Sequence, residues 1–165
     1  NIGRLVVEEG RGLVLGINKW DIVSDRNKAL KLLRDRIQIS LPQVKNIPYV
    51  TFSALESSGL DKLGDAVFSS YDFWNQRIST SHLNRWLAHT TEVHPPPLSS
   101  GRRIKLRYIT QAKTRPPSFF CFCSRPDALP ESYVRYLVNS LRKEFSLPGV
   151  PIRFLLRGGN NPYVQ

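Results

Sequence analysis

The first half of the chain alternates between short apolar runs and helix-like stretches. Apolar runs at residues 13–17 and 47–52 have the length and composition of strands buried on both faces of a parallel sheet. Two stripes of apolar residues recur at helical spacing, one between the runs and one after them. They are Leu30, Leu33 and Ile37, and then Leu60, Leu63, Val67, Tyr71, Trp74 and Ile78. With the tail of a helix at residues 1–9, the pattern predicts the order α-β-α-β-α, as in part of an α/β domain.

The pattern changes near residues 78–81, which predicts a boundary between a domain of residues 1–77 and one of residues 78–165. A short helix follows the boundary and stops before the three prolines at 95–97, because proline cannot continue a helix. From Arg102 the period becomes two, which is typical of a half-buried strand with one basic face. The basic positions are Arg103, Lys105 and Arg107, and the apolar ones between and beside them are Ile104, Leu106 and Tyr108.

Three further elements complete the second half. A turn at residues 114–117 leads into a strand at 118–123. Pro130 fits the first position of a helix, whose apolar stripe is Val134, Leu137, Val138, Leu141 and Phe145. A third strand is predicted at residues 152–156. The remaining residues, 158–165, are predicted to be a frayed tail. The order is therefore α-β-β-α-β, a small α+β domain with one sheet.

A polar motif follows the first apolar run directly: Asn18-Lys19-Trp20-Asp21. The carboxyl end of a buried parallel strand is where open α/β sheets bind ligands, and Asn-Lys-x-Asp is the guanine-reading motif of GTP-binding domains. Asp21 can accept from guanine N1–H and the 2-amino group, while Asn18 can tie neighbouring loops together. The aliphatic stem of Lys19 can lie flat against the base. Taken alone, the motif is equally typical of a polar strand-to-helix turn.

A second loop strengthens the guanine interpretation. Ser53-Ala54-Leu55 follows the second apolar run, and in GTPases a turn of this type offers backbone N–H groups to the guanine oxygen. Two such loops, each at the end of a predicted strand and in this order, favour a GTPase-type guanine site that binds GTP or GDP.

Composition and charge then separate the two halves. The net charge is +11; residues 1–80 carry 11 Lys and Arg against 9 Asp and Glu, and residues 81–165 carry 13 against 4. A positive excess of this size favours RNA as the partner of the second half. Two cysteines give no disulfide framework and suit a reducing compartment. No apolar run reaches 18 residues, and the start is neither a signal nor a transit peptide. The absence of methionine suggests part of a longer chain or a processed product.

The second half also carries the motifs of one family in order and spacing. They include residues 77–97, with His94-Pro95-Pro96-Pro97, and then Gly101-Arg102-Arg103-Ile104-Lys105, Thr110-Gln111, Arg115-Pro116-Pro117 and Tyr133-Val134-Arg135-Tyr136-Leu137. Together with the base-reading loops, the chain resembles the carboxyl-terminal part of the Der (EngA) GTPases, which have two GTP-binding domains followed by a KH-like domain. The resemblance implies the end of a P-loop GTPase-type α/β domain followed by an α+β KH-like domain. It also implies GTP hydrolysis coupled to assembly of the large ribosomal subunit, with the KH-like domain on rRNA.

Some expected motifs are absent. The chain has no Gly-x4-Gly-Lys-Ser/Thr phosphate loop, so we assign no catalytic residue and expect the Mg²⁺ ligands to lie outside it. Asp61-Lys62-Leu63-Gly64 matches a Mg²⁺ switch motif by chance, since it follows the second loop inside a predicted helix. A KH-type Gly-x-x-Gly loop is also absent, so RNA binding requires another surface.

The predicted RNA surface is built from basic residues on strands and turns. If the strands share one sheet with helices over the apolar face, these residues project together from the open face. They are Arg102, Arg103, Lys105, Arg107, Lys113, Arg115, Arg153 and Arg157. Phe119, Phe120 and Phe122 can stack on bases, but an aromatic cluster in a strand is more often core. Cys121 and Cys123 are predicted to be buried rather than to bind a metal.

These observations predict the guanine-reading part and the RNA-binding domain of a ribosome-assembly GTPase. We expect the large-subunit precursor and its rRNA as partners, no DNA and no membrane, and a bacterial cytoplasm or an organelle matrix as the compartment. The main alternative is a stand-alone RNA-binding protein with a degenerate GTPase remnant. Another is a GTPase of different purpose whose basic domain binds protein or membrane.

Overall fold

The computed structural model describes residues 2–42 and 44–159 and contains two compact units. The first is formed by Asn1–Asn75 with Leu147–Pro151, and the second by Gln76–Ser146 with Ile152–Gln165. Most of the predicted tail, from residue 160 onward, lies outside the described residues. No helix in the described ranges is both long and apolar enough to cross a membrane.

The first unit contains a short parallel sheet and three helices. In chain order they are α1 (Ile2–Glu8), β1 (Leu15–Ile17), α2 (Arg26–Ser40), β2 (Tyr49–Thr51) and α3 (Leu60–Trp74). β1 and β2 pair in parallel, with Gly16 opposite Val50. α2 begins after Asp25, whose carboxylate accepts a hydrogen bond from the Lys28 N–H at 2.9 Å. The predicted order α-β-α-β-α is present.

Two details of this unit differ from the sequence prediction. β1 and β2 were predicted to be buried on both faces, but their residues are half-buried or exposed. The reason is that each has only one strand neighbour in the described part of the chain. α3 ends at Trp74 rather than reaching Ile78, because Ile78 is buried in the second unit, where its N–H donates to Gln111 Oε1.

The core of the first unit includes a segment that is distant in sequence. Its centre is a cluster of Val7, Leu41, Val44 and Ile47. Leu147 and Val150 are fully buried in the same unit, and the Gly149 N–H between them donates to the Lys45 carbonyl at 3.0 Å. Gly149 has a φ of 65°, and a Cβ there would clash with Pro48, so glycine is required at this close approach.

The second unit is a three-stranded sheet with two helices. The elements are α4 (Thr80–Val93), the short strands β3 (Leu98–Ser99) and β4 (Arg102–Arg103), then β5 (Leu106–Lys113), β6 (Ser118–Cys123), α5 (Glu131–Glu144) and β7 (Arg153–Gly158). The sheet order is β5-β6-β7, with β5 antiparallel and β7 parallel to β6. The predicted α-β-β-α-β order is confirmed, with the β3-β4 hairpin added. Pro130 is the N-cap of α5 rather than its first residue.

The prediction of one continuous strand from Arg102 to Tyr108 is wrong, because β4 ends at Arg103 and β5 begins at Leu106. Ser100 and Gly101 have positive φ and fold residues 98–103 into a hairpin, so β5 starts only at Leu106. An irregularity between Leu106 and Tyr108 then changes which side chains face the helices. Arg103, Lys105 and Arg107 therefore do not share one strand face.

One face of the sheet lies under the helices and forms the core. Its central residues, Ile109 on β5 and Phe119, Cys121 and Cys123 on β6, are all fully buried. Leu83 of α4 and Leu137 and Leu141 of α5 are buried as well. The predicted burial of both cysteines is confirmed, and both are free thiols.

Candidate functional site

Two loops of the first unit lie at the carboxyl ends of β1 and β2. Asn18 leaves β1 and accepts through Oδ1 from the Lys19 N–H at 2.7 Å and from the Ala54 N–H at 3.1 Å. The Trp20 N–H donates to the Phe52 carbonyl at 3.1 Å. Lys19 adopts a left-handed conformation with φ 62°, which leads the chain into a single 3₁₀ turn at Trp20–Ile22. The two predicted base-reading loops are therefore joined by direct contacts.

Asp21 provides the chemically distinctive group of this site. Its Oδ1 is buried and has no hydrogen-bond partner among the described residues. A buried acceptor without a partner costs about 1–3 kcal/mol, so native proteins usually satisfy such groups. The carboxylate lies in the 3₁₀ turn immediately after the loop contacts, and its unpaired oxygen is an acceptor of the kind that suits N–H donors.

The second loop is shaped by its own backbone. Ser53 is 1% exposed, exchanges both backbone hydrogen bonds with Ser58, and accepts from the Glu56 N–H at 3.2 Å through Oγ. Gly59 closes the loop at φ 78°, and a Cβ there would lie 2.8 Å from the Thr51 carbonyl oxygen. Leu55 is 88% exposed at the tip. The Ala54 N–H is already engaged by Asn18, so a ligand oxygen at Ala54 would have to share that donor.

The structure brings the predicted base-reading residues together at one end of the β1-β2 pair. Asn18, Lys19 and Asp21 lie in the loop after β1, and residues 53–55 lie in the loop after β2. In the described part of the chain, no cluster of three or more His, Cys, Asp or Glu side chains is arranged to hold a metal ion. The distinctive feature of the two loops is therefore the buried, unpaired Oδ1 of Asp21.

The predicted RNA residues are all exposed but fall into two groups. Arg103, Lys105 and Arg107 line an open groove of about 760 Å³, which is bounded on its other side by Pro95 and Pro96 after α4. They meet there through the hairpin and the start of β5, not through one strand face. Arg102 belongs to the same hairpin, in β4.

The second group lies on the face of the sheet opposite the helices. Residues paired across a sheet project from the same face, and the strand register gives three rows of three on the open sheet face. The rows are Lys113-Ser118-Arg153, in which Ser118 is buried, Thr110-Phe120-Leu155 and Tyr108-Phe122-Arg157. Arg153 and Arg157 share one face of the sheet, as the sequence predicts, and Lys113 lies on the same face. Arg115 is exposed on the β5-β6 turn.

The aromatic residues of this face were only partly anticipated. Phe119 is core, as predicted, but Phe120 and Phe122 are half-buried on the open sheet face. The Arg157 guanidinium carbon lies 5.0 Å from the centre of the Phe120 ring, and the rings of Tyr108 and Phe122 are 6.0 Å apart. In a run where both alternating sets are apolar, the sequence carries no signal for which set meets the helices.

Comparison with known proteins places these features in context. Residues 77–157 match the family model described as KH-domain-like of EngA bacterial GTPase enzymes, C-terminal. GTPase Der of Azorhizobium caulinodans is 57% identical over 164 residues, covering 99% of this chain and 36% of the relative. GTPase Der of Roseobacter denitrificans is 52% identical over 164 residues, covering 98% and 33%. The chain thus spans about a third of the length of the curated relatives it matches.

Proposed function

Because the chain belongs to the family of the Der (EngA) GTPases and matches their carboxyl-terminal region, we propose that it supplies guanine recognition and an RNA-binding domain to a GTP-hydrolysing protein. The first unit is then the last part of a P-loop GTPase-type domain. The observation that carries the guanine assignment is the buried, unpaired Oδ1 of Asp21 beside two loops that Asn18 joins. A remnant that serves only as scaffolding has no need of that carboxylate.

Each group of the site has a role in this proposal. Asp21 accepts from guanine N1–H and the 2-amino group, a pair of donors that adenine lacks. Asn18 holds the two loops at a fixed separation, and the stem of Lys19 covers one face of the base. Phosphate and Mg²⁺ binding, which hydrolysis requires, are assigned to parts of the protein outside this chain.

The guanine assignment is tested by Asp21→Asn in a Der protein that carries this chain as its carboxyl-terminal third. The change converts an acceptor into a donor, which suits xanthine better than guanine. We expect GTP affinity to fall at least about 10-fold, as for one charge-assisted hydrogen bond, while XTP affinity rises. Glu56→Gln on the neighbouring loop is the control for a lost charge. Unchanged GTP binding in Asp21→Asn would show that the loop assignment is wrong.

For the second unit we propose binding to the rRNA of a large ribosomal subunit precursor. The positive excess of residues 81–165 and the exposed cations around the groove support this role. The relatives are bacterial GTPases, so we propose a bacterial cytoplasm, or an organelle matrix of bacterial origin, as the compartment.

The RNA assignment is tested by reversing the groove charges. In the triple variant Arg103→Glu, Lys105→Glu and Arg107→Glu, we expect weaker binding to large-subunit rRNA. The slope of log K against log salt should flatten by about 0.7–0.9 for each lost phosphate contact. The control variant, Lys28→Glu, Lys31→Glu and Arg36→Glu, makes the same charge change at exposed positions of α2. If the groove variant and the control variant weakened RNA binding equally, the effect would come from net charge alone and the groove assignment would be wrong.

A further inference from the structure

The open sheet face combines partly exposed aromatic rings with three cations of the predicted RNA surface, and the proposed function does not specify the form of RNA that it accepts. Its middle and last rows place Phe120, Phe122 and Tyr108 side by side. Its cations are at both ends, with Lys113 and Arg153 at one end and Arg157 at the other. None of the nine residues is acidic.

The ring positions match the step of an extended nucleic acid strand. Phe120 and Phe122 are two residues apart on β6, so they are separated by about 7 Å along the strand. The row of Lys113 and Arg153 lies about 13 Å from the row of Arg157 on the same scale. Bases that stack on the two rings would therefore have phosphate-binding cations at either end of a two-base segment.

The contact between Arg157 and Phe120 adds to this platform. The guanidinium lies over the Phe120 ring, 5.0 Å from its centre, and makes a cation–π contact that holds the planar cation against one face of the ring. Arginine planes and aromatic rings are the two surfaces on which proteins stack unpaired bases. Both are present, adjacent to each other, on this face.

We propose that the open sheet face is a stacking platform for single-stranded RNA, with little sequence preference. This inference rests on the proposed RNA-binding function and names the form of RNA that the face accepts. Unpaired bases are required because the rings lie in an open sheet, where only a splayed strand can bring base planes against them.

A protein partner fits the same face less well. Fully buried centres of protein interfaces are depleted in charged residues, whereas three of these nine residues are cations. The one large aliphatic side chain on the face, Leu155, is 45% exposed on the outer strand β7, and the nine residues include no second aliphatic side chain of that size. Charge complementarity therefore favours a polyanion.

The test measures binding of the whole chain to labelled RNA by fluorescence anisotropy. The probes are a 12-nucleotide oligo(U), a 12-nucleotide oligo(A) and a duplex of the same length. Phe122→Leu and Phe120→Leu keep apolar volume but remove the ring, and each should weaken single-strand binding at least about 5-fold, as expected for one stacked base. Duplex binding should stay within about 2-fold. Tyr71→Leu, at an exposed aromatic residue of α3, is the matched control.

A second variant keeps the test decisive if a ring change perturbs folding. Leu155→Glu places a carboxylate in the middle row of the open sheet face, next to Phe120 and at a side chain that is already exposed, and it should lower single-strand affinity with an unchanged circular dichroism spectrum. Retained single-strand affinity in folded Phe120→Leu, Phe122→Leu and Leu155→Glu would overturn the platform. If the groove triple variant still weakened RNA binding in that case, the proposed RNA-binding function would stand without the stacking platform. Sedimentation that shows a dimer in the wild type and a monomer in Leu155→Glu would assign the face to a second copy instead.

Discussion

Asn84 joins α4 to the free edge of the sheet in the second unit, and its replacement gives the sharpest stability prediction. Its Nδ2 donates to the Ile109 carbonyl at 2.9 Å and to the Thr80 carbonyl at 2.7 Å, while its Oδ1 accepts from the Ile109 N–H at 3.0 Å. β5 is an edge strand. Both backbone groups of Ile109 are therefore satisfied by one amide, which takes the place of a further strand.

The size of the effect follows from these three contacts. A hydrogen bond contributes about 0.5–1.5 kcal/mol net, and the Ile109 groups are partly buried, so Asn84→Ala should destabilise the unit by about 2 kcal/mol. With a urea m-value of about 1–3 kcal/mol/M, the midpoint should fall by about 1 M. Since two compact units complicate a single transition, amide exchange of Ile109 is the direct measurement, and it should accelerate more than that of Cys121.

Two further variants separate this reasoning from a general helix effect. Arg85→Ala changes the exposed neighbour on α4 and should leave the midpoint nearly unchanged. Asn84→Asp keeps the acceptor for the Ile109 N–H but loses both donor contacts, so Ile109 should stay protected while the midpoint falls. If Asn84→Ala behaves like Arg85→Ala, or if Ile109 exchange does not change, the edge contact does not stabilise the sheet as argued.

Two other predictions concern buried polar and thiol groups. Gln111 is 2% exposed, accepts from the Ile78 N–H at 2.8 Å and donates to the Gln76 carbonyl at 3.0 Å. Gln111→Met should therefore lower the urea midpoint and speed the amide exchange of Ile78. An unchanged exchange rate at Ile78 would contradict the stabilising role of Gln111. Burial, with a smaller contribution from Cys123, raises the pKa of the Cys121 thiol from 9.0 to about 12. Because the thiol ionises more readily in the unfolded chain, Cys121 leaves the free energy of unfolding unchanged below pH 9. It lowers that free energy by up to about 1.4 kcal/mol per pH unit as the pH rises toward 12. Between pH 9 and 11 the free energy of unfolding should fall less steeply with pH in Cys121→Ala than in the wild type. Equal pH dependence in the two proteins would refute the raised pKa of Cys121.

The sequence carried enough information for the order of elements, because periodicity records which face of a helix or strand is buried. The stripe of α5 is an example: Leu137 and Leu141 are buried at the predicted positions. The periodicity does not show where a strand is interrupted. The alternation from Arg102 to Tyr108 fits one strand, but the turn at Ser100 and Gly101 and the irregularity before Tyr108 depend on pairing with residues distant in sequence.

The positions of the two predicted base-reading loops could be read from the sequence because they depend on local order. Asn18 and Ser53 each follow an apolar run directly, and Asp21 lies three residues after Asn18, so their placement needed only the strand assignment. The open sheet face was not predictable, since Ser118 to Cys123 are apolar in both alternating sets. Only packing under α4 and α5 decides that Phe119 is buried and that Phe120 and Phe122 are not.

The residues that carry the family resemblance are mostly committed to holding the second unit together. Asn84 and Gln111 use their amides on backbone groups, and the His94 carbonyl accepts from the Tyr133 hydroxyl at 2.6 Å, which joins the end of α4 to α5. A side chain already engaged in this way has little capacity left for a ligand. Asn84, Gln111 and Tyr133 therefore stabilise the fold, while the RNA affinity that we propose rests on other residues, the exposed cations and rings. For this reason a charge reversal in the groove and a ring replacement on the sheet test function, whereas Asn84→Ala tests only the framework.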